Sequence, residues 1–197
     1  MRYRCTAPPV DAKKYIATVQ RRHDDLSESS WYRRVVSILL NELGQSNITK
    51  IRCLALGSPS EWQNSQYQLA FLILISRDLG ITNVEVWDPM LKPIDTEIFD
   101  HYGFTVVEYD SSEPTNQILY YVPHGPYSLN LSLGSKSPLA FLGNDMKNFT
   151  PQGEVSPSDR LVLDSYSQSL VARFTVQKHE RWYLAMDRLA LHISSKN

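Results

Sequence analysis

In this chain of 197 residues, the side chains that could do chemistry cluster just after short apolar runs. Pro123-His124-Gly125-Pro126-Tyr127 is the most unusual such stretch, because two prolines and a glycine make a stiff turn that projects one imidazole in a fixed direction. A histidine held in this way is a candidate catalytic group, as general acid/base or as hydrogen-bond donor to an anion. The plainer alternative is a histidine that pins its own loop through backbone bonds.

Three further candidates share that placement. Gly57-Ser58 follows the run 51–56 and would expose backbone N–H groups at a helix N-terminus, a setting suited to phosphate or carboxylate. One glycine is not the G-x-G-x-x-G fingerprint, and Ser58-Pro59-Ser60-Glu61 also reads as a capping box that would use the same donors. Asp88 closes Val84-Glu85-Val86-Trp87, where dinucleotide and S-adenosylmethionine folds hold a ribose; a carboxylate accepts two hydroxyl hydrogen bonds at once. The competing reading is an Asp-Pro turn that caps the next helix. Asn144-Asp145 follows the run that ends at Leu142.

Other chemistries find little support. His124, His192, Asp88 and Asp145 could ligate a metal, but no two stand at a recognisable metal spacing, so no metal site is expected. A Gly-x-Ser-x-Gly elbow and a P-loop are both missing, and Gly134-Ser135-Lys136-Ser137 lacks the upstream glycine a P-loop needs.

The elements that must position these residues follow from periodicity. From Val10 to about Leu43 the pattern is helical with a break near Ser27, and Trp31, Val35, Ile38, Leu39 and Leu43 form one apolar stripe. Arg21, Arg22, Arg33 and Arg34 accompany these helices and read first as solvated faces. From Lys50 the period changes. Strands are expected at 51–56, 84–87, 104–109, 118–122 and 139–142, with helices after the first and second, another at 159–170, and two last strands within 171–194. Such alternation predicts an α/β fold, a Rossmann-like three-layer sandwich with a mostly parallel sheet and N-terminal helices. In that fold the C-terminal strand ends share one rim, which would line up Gly57, Ser58, Asp88, His124, Asn144 and Asp145 as candidate cofactor-binding residues. One connection fits badly: Ser111 to Gln117 is shorter than the usual crossover of roughly ten or more residues.

Composition bounds the setting. Forty-two per cent apolar residues with charge of both signs argue against disorder, and the net charge of -1 gives no long-range pull toward nucleic acid or an acidic membrane. Cys5 and Cys53 stand far apart, which excludes a disulfide scaffold and a cysteine-rich zinc site. The first residues lack the apolar core of a signal peptide, and no apolar run approaches membrane-spanning length. A cytoplasmic or nuclear location is expected.

Taken in order, Leu56-Gly57-Ser58-Pro59-Ser60, Gln66-Tyr67-Gln68-Leu69-Ala70, Val86-Trp87-Asp88-Pro89, Asp95 and Leu119 through Pro126 resemble the Sensitivity to Red-light Reduced-like (SRR-like) family. Leu191-His192 matches a family histidine. Gly125 stands where members usually carry cysteine, so no thiol-dependent role is expected there. The resemblance implies a single SRR-like domain over residues 1–197, with 1–49 as a helical extension on a 50–197 core. It implies a regulatory protein whose relatives are linked to circadian and light input, to microtubule phenotypes or to haem metabolism. The partners open to it are a protein and a small nucleotide-like ligand such as S-adenosylmethionine. The alternative function is a methyltransferase-like enzyme using S-adenosylmethionine, since its turn after the fourth strand loosely resembles the Pro-Pro-Tyr turn of amino-methyltransferases. That reading requires the last two strands to form an antiparallel hairpin beside strand five.

Overall fold

The computed structural model describes residues 11–109, 116–146 and 155–194. Two helices open the chain, α1 (Ala12–Ser27) and α2 (Ser30–Leu43). Asp11 caps the first by accepting the Lys13 N–H at 2.9 Å, and Ser29 caps the second by accepting the Tyr32 N–H at 3.0 Å. Those caps place the break where the sequence pattern lost its stripe.

There follow β1 (Lys50–Leu54), α3 (Gln63–Asp78), β2 (Asn83–Trp87), α4 (Pro93–His101), β3 (Thr105–Val106), β4 (Ile118–Val122), α5 (Tyr127–Gly134), β5 (Ala140–Asn144), α6 (Pro157–Ser169), β6 (Leu170–Arg173), α7 (Tyr183–Met186) and β7 (Leu189–Ile193). The strands form one seven-stranded sheet in the order β3-β2-β1-β4-β5-β7-β6. β1 to β5 run parallel to one another, whereas β7 is antiparallel to both β5 and β6. The expectation of a mostly parallel sheet is therefore corrected: the sheet is mixed. The cause is local. Between β6 and β7 the only helix is α7, a single turn, so the chain returns directly instead of crossing back over the sheet.

Alternate residues of the central strands feed two hydrophobic clusters. Ile51, Cys53, Leu119, Tyr121 and Leu142 join a cluster that includes side chains from α2, α3 and α4. Leu54, Tyr120, Val122 and Phe141 join a second one with Leu133 of α5 and Tyr166 of α6. This is the period of two expected of strands covered on both faces. Phe71 anchors the first cluster, with its ring centroid 5.7 Å from Trp31, 6.0 Å from Tyr32 and 5.7 Å from Tyr121. The apolar stripe of α2 is thus core. The arginines beside it are spent on local contacts: Arg22 donates to the Tyr67 hydroxyl at 3.1 Å, and Arg34 to the Thr175 carbonyl at 3.1 Å.

Two local expectations change. The third strand keeps only Thr105–Val106 as ladder, and the helix after β1 begins at Gln63, not at the Ser58 capping box. Instead the Ser58 carbonyl accepts the N–H groups of Glu61 and Trp62, making a separate turn before the helix. The link from β3 to β4 passes β2 and β1, a lateral distance of about 14 Å at roughly 4.8 Å per strand. Residues 110–115 of that link lie outside the described residues. Among the described residues no helix is long and apolar enough to cross a membrane.

Candidate functional site

Chain geometry at the end of β1 is dictated by backbone sign. Ala55 and Gly57 both take positive φ, 58° and 77°, so the chain turns sharply out of the strand. Only glycine suits the second position, because a Cβ there would lie 2.6 Å from Ser65 Oγ. Gly57 donates its N–H to Asp88 Oδ2 at 2.8 Å, while Asp88 Oδ1 accepts the Met90 N–H at 2.7 Å. A second carboxylate, Asp95 at the start of α4, is fully buried and accepts the N–H groups of Ser60 at 2.9 Å and Lys92 at 2.8 Å. Two acids from the β2–α4 region thus hold the β1–α3 loop from below.

The turn after β4 is built with similar rigidity. His124 takes a φ of 53°, uncommon for a residue with a side chain. The next carbonyl, Gly125 O, accepts Asn130 Nδ2 at 2.8 Å and Asn144 Nδ2 at 3.1 Å. Tyr166 Oη in turn donates to Asn130 O at 3.1 Å, tying α6 into the same network. A Cβ on Gly125 would meet Val122 Cγ1 at 2.5 Å, so a side chain here requires the strand end to shift.

Between these loops lies a cavity of about 740 Å³. Gly57, Asp88 and His124, from the ends of β1, β2 and β4, all line it. Its remaining walls are mainly apolar: Trp87, Pro89, Tyr109, Pro123, Pro126 and Leu129, with Trp62, Met90 and Leu184 at exposures of 54, 50 and 67 %. The rings of Trp87 and Tyr109 stand 5.2 Å apart. Gln68 lines the floor and donates from Nε2 to the Ala185 carbonyl at 3.1 Å, which anchors the α7 segment.

His124 is exposed as a residue, yet its ring loses enough water in the cavity wall that burial pushes its pKa below the usual range. Backbone hydrogen bonding to Ala185, the Asp187 charge and the Leu184 backbone act the other way. At neutral pH the imidazole is therefore neutral, with one N–H to donate and one nitrogen to accept. That is the state a general base requires.

The other sequence candidates sit elsewhere. Asn144 and Asp145 line a separate cavity of about 250 Å³ with His124, Gly125, Asp187 and Arg188. Asp145 Oδ2 accepts Arg173 Nε at 2.5 Å. Ser58 is buried, its Oγ 3.0 Å from Ser60 Oγ, and it does not line the large cavity. His192 is buried between the carbonyls of Tyr166, 2.9 Å from Nδ1, and Asn144, 3.3 Å from Nε2, with burial lowering its pKa. Among the described residues no three His, Cys, Asp or Glu side chains group as a metal site. Sequence reasoning missed Trp87, Tyr109, Gln68 and Leu184 as cavity walls, since each looked like ordinary core or loop. It named Asp95 only through the family resemblance.

The sheet and its rim define an α/β protein with a ligand-sized cavity beyond the C-terminal ends of its parallel strands. The chain belongs to the SRR1 family: the SRR1 domain matches residues 19–193. It is 25% identical over 132 residues to an SRR1-like protein of Drosophila melanogaster, covering 64% of this chain and 48% of that protein. It is 22% identical over 169 residues to the Protein SENSITIVITY TO RED LIGHT REDUCED 1 of Arabidopsis thaliana, covering 78% of this chain and 59% of that one. The chain thus spans about half the length of these curated relatives.

Proposed function

We propose that this chain is a regulatory SRR-like protein that holds a small nucleotide-like ligand at the C-terminal edge of a Rossmann-like three-layer fold. One observation carries the reading: Gly57, Asp88 and His124, far apart in sequence, line one cavity of about 740 Å³, within the roughly 300–1,000 Å³ of ordinary ligand sites. Each Asp88 oxygen accepts one backbone N–H and keeps a second lone pair, so the carboxylate has capacity for ribose hydroxyls. The regulatory half rests on family membership and on the light response in the Arabidopsis relative's name. In this proposal the protein acts in the cytoplasm or nucleus, and a protein partner reads the liganded state.

Thermal-shift titration of the purified chain and of Asp88→Ala with S-adenosylmethionine tests the reading. Saturation at about a hundred times the dissociation constant adds about 2.7 kcal/mol of stability. The expected result is a dose-dependent rise in Tm that Asp88→Ala loses while remaining folded. A rise that survives in Asp88→Ala would remove the rim from the argument.

A second reading, methyl transfer from S-adenosylmethionine, is favoured by one specific feature. The β6–β7 pair is antiparallel and β7 lies against β5, the arrangement that reading required. His124 would face the acceptor, and the enzyme would work chiefly by positioning. Production of S-adenosylhomocysteine in the presence of an acceptor, lost in His124→Asn, is the expected result; binding without any turnover leaves the regulatory reading.

A further inference from the structure

We infer that the ligand of the large cavity is a nucleoside without phosphate, with a neutral or cationic group at its 5′ end. This rests on the reading of that cavity as a nucleotide-type site and narrows it by charge.

A phosphate carries charge that a protein site usually meets with a cation, and the described lining holds a carboxylate instead. Among the described residues lining the cavity there is no lysine or arginine, and the one carboxylate is Asp88. Neither Lys92 nor Lys136 lines the cavity: Lys92 pairs with Glu61 Oε1 at 3.6 Å, and the Lys136 ammonium sits 5.7 Å from the Tyr109 ring centroid. Four N–H groups of the loops after β1 and β2 are already used by acids. Gly57 and Met90 donate to Asp88, and Ser60 and Lys92 donate to Asp95. A pyrophosphate in this position would meet a carboxylate at short range in an apolar enclosure, where like charges repel strongly.

The same walls suit an uncharged base. Trp87, Pro89, Met90 and Tyr109 offer flat or polarisable surface. The Tyr109 hydroxyl is buried with no hydrogen-bond partner among the described residues, a polar atom for a ligand heteroatom to meet. A cationic 5′ group, such as a sulfonium, would be drawn toward Asp88.

Isothermal titration of the full chain with adenosine, S-adenosylmethionine, ATP and NAD tests this. Adenosine or S-adenosylmethionine should bind, with ATP and NAD at least about 30-fold weaker. Met90→Lys, which puts a cation on the wall, should shift the ratio of ATP to adenosine affinity about tenfold toward ATP. Ser132→Trp, a filling change at an exposed lining residue on α5, should abolish all binding, with Met90→Trp as the second filling variant and circular dichroism checking both folds. ATP or NAD binding as tightly as adenosine, and blocked by Ser132→Trp, would overturn the charge inference while keeping the site. If none of the four binds, or if binding survives both filling variants, the site reading falls and the inference with it.

Discussion

The carboxylate of Asp95 accepts the backbone N–H of Ser60 at 2.9 Å across 35 residues of sequence, although Asp95 itself has no solvent exposure. Its other oxygen holds Lys92 N–H, so one buried acid fixes both the entry to α4 and the loop that leaves β1. With Asp88 on Gly57, it makes the rim a preformed frame.

Asp95→Ala should cost about 2–6 kcal/mol, because two part-buried N–H donors lose a charged acceptor and each orphan costs roughly 1–3 kcal/mol. Urea unfolding followed by circular dichroism measures it through the midpoint. A change below about 0.5 kcal/mol would mean that water replaces the carboxylate.

Gly57→Ala should destabilise on two grounds, the positive φ and the 2.6 Å approach to Ser65 Oγ. The first costs about 1–2 kcal/mol for any L side chain. Adding Ser65→Gly should recover the contact and leave the backbone cost, so the double variant should fall between the single Gly57→Ala and the parent protein. Full recovery in the double variant would show that the backbone sign matters less than the contact.

Stability should depend on pH through His124 and His192. Burial lowers both pKa values from 6.5 in the folded chain, so the unfolded chain takes up these protons first. Stability is then complete above about pH 6.5 and declines as pH falls through the window between the unfolded and folded values. His124→Asn keeps a residue that tolerates positive φ and should flatten part of that decline. His192→Gln should flatten the rest. Denaturant midpoints at pH 7.5, 6.5 and 5.5 for the parent and the two variants check this; an unchanged slope in both variants would assign the dependence elsewhere.

Cys53 should resist thiol reagents in the native state. Its side chain is buried in β1, and burial, with the Asp88 charge adding to it, pushes its pKa well above the usual range. Alkylation mapped by mass spectrometry should leave Cys53 unmodified until denaturant is added. Rapid modification in buffer alone would reveal opening of the sheet around β1.

The strands that were legible in the sequence were those with continuous apolar runs closed by turn residues, such as Ile118–Val122 before Pro123. Their ends placed Gly57, Asp88 and His124 on one side of the sheet, because a parallel order leaves little choice. Other features carry no local signal. The Ser58-x-x-Glu61 pattern meets every requirement of a helix cap, yet the Ser58 carbonyl first closes a turn with Glu61 and Trp62. In α5 the leucines at 129, 131 and 133 alternate like a strand, and the helix is fixed by Asn130, Leu133 and Gly134 facing inward. Gly134 itself allows close approach, since a Cβ there would meet Tyr166 Cε2 at 2.3 Å. The direction of β7 depended on the length of one connection, and the partner of Asp95 lies too far upstream for any spacing rule.

The placement of β7 between β5 and β6 also sets an order of assembly. β6 leaves the ribosome before β7 but touches no other strand, so it has no ladder to join until β7 has been made. During synthesis β5 therefore stands as a bare sheet edge, open to pairing with another nascent chain. A stop codon after Arg173 would make that interval permanent, exchanging a folded domain for a species prone to aggregate edge to edge.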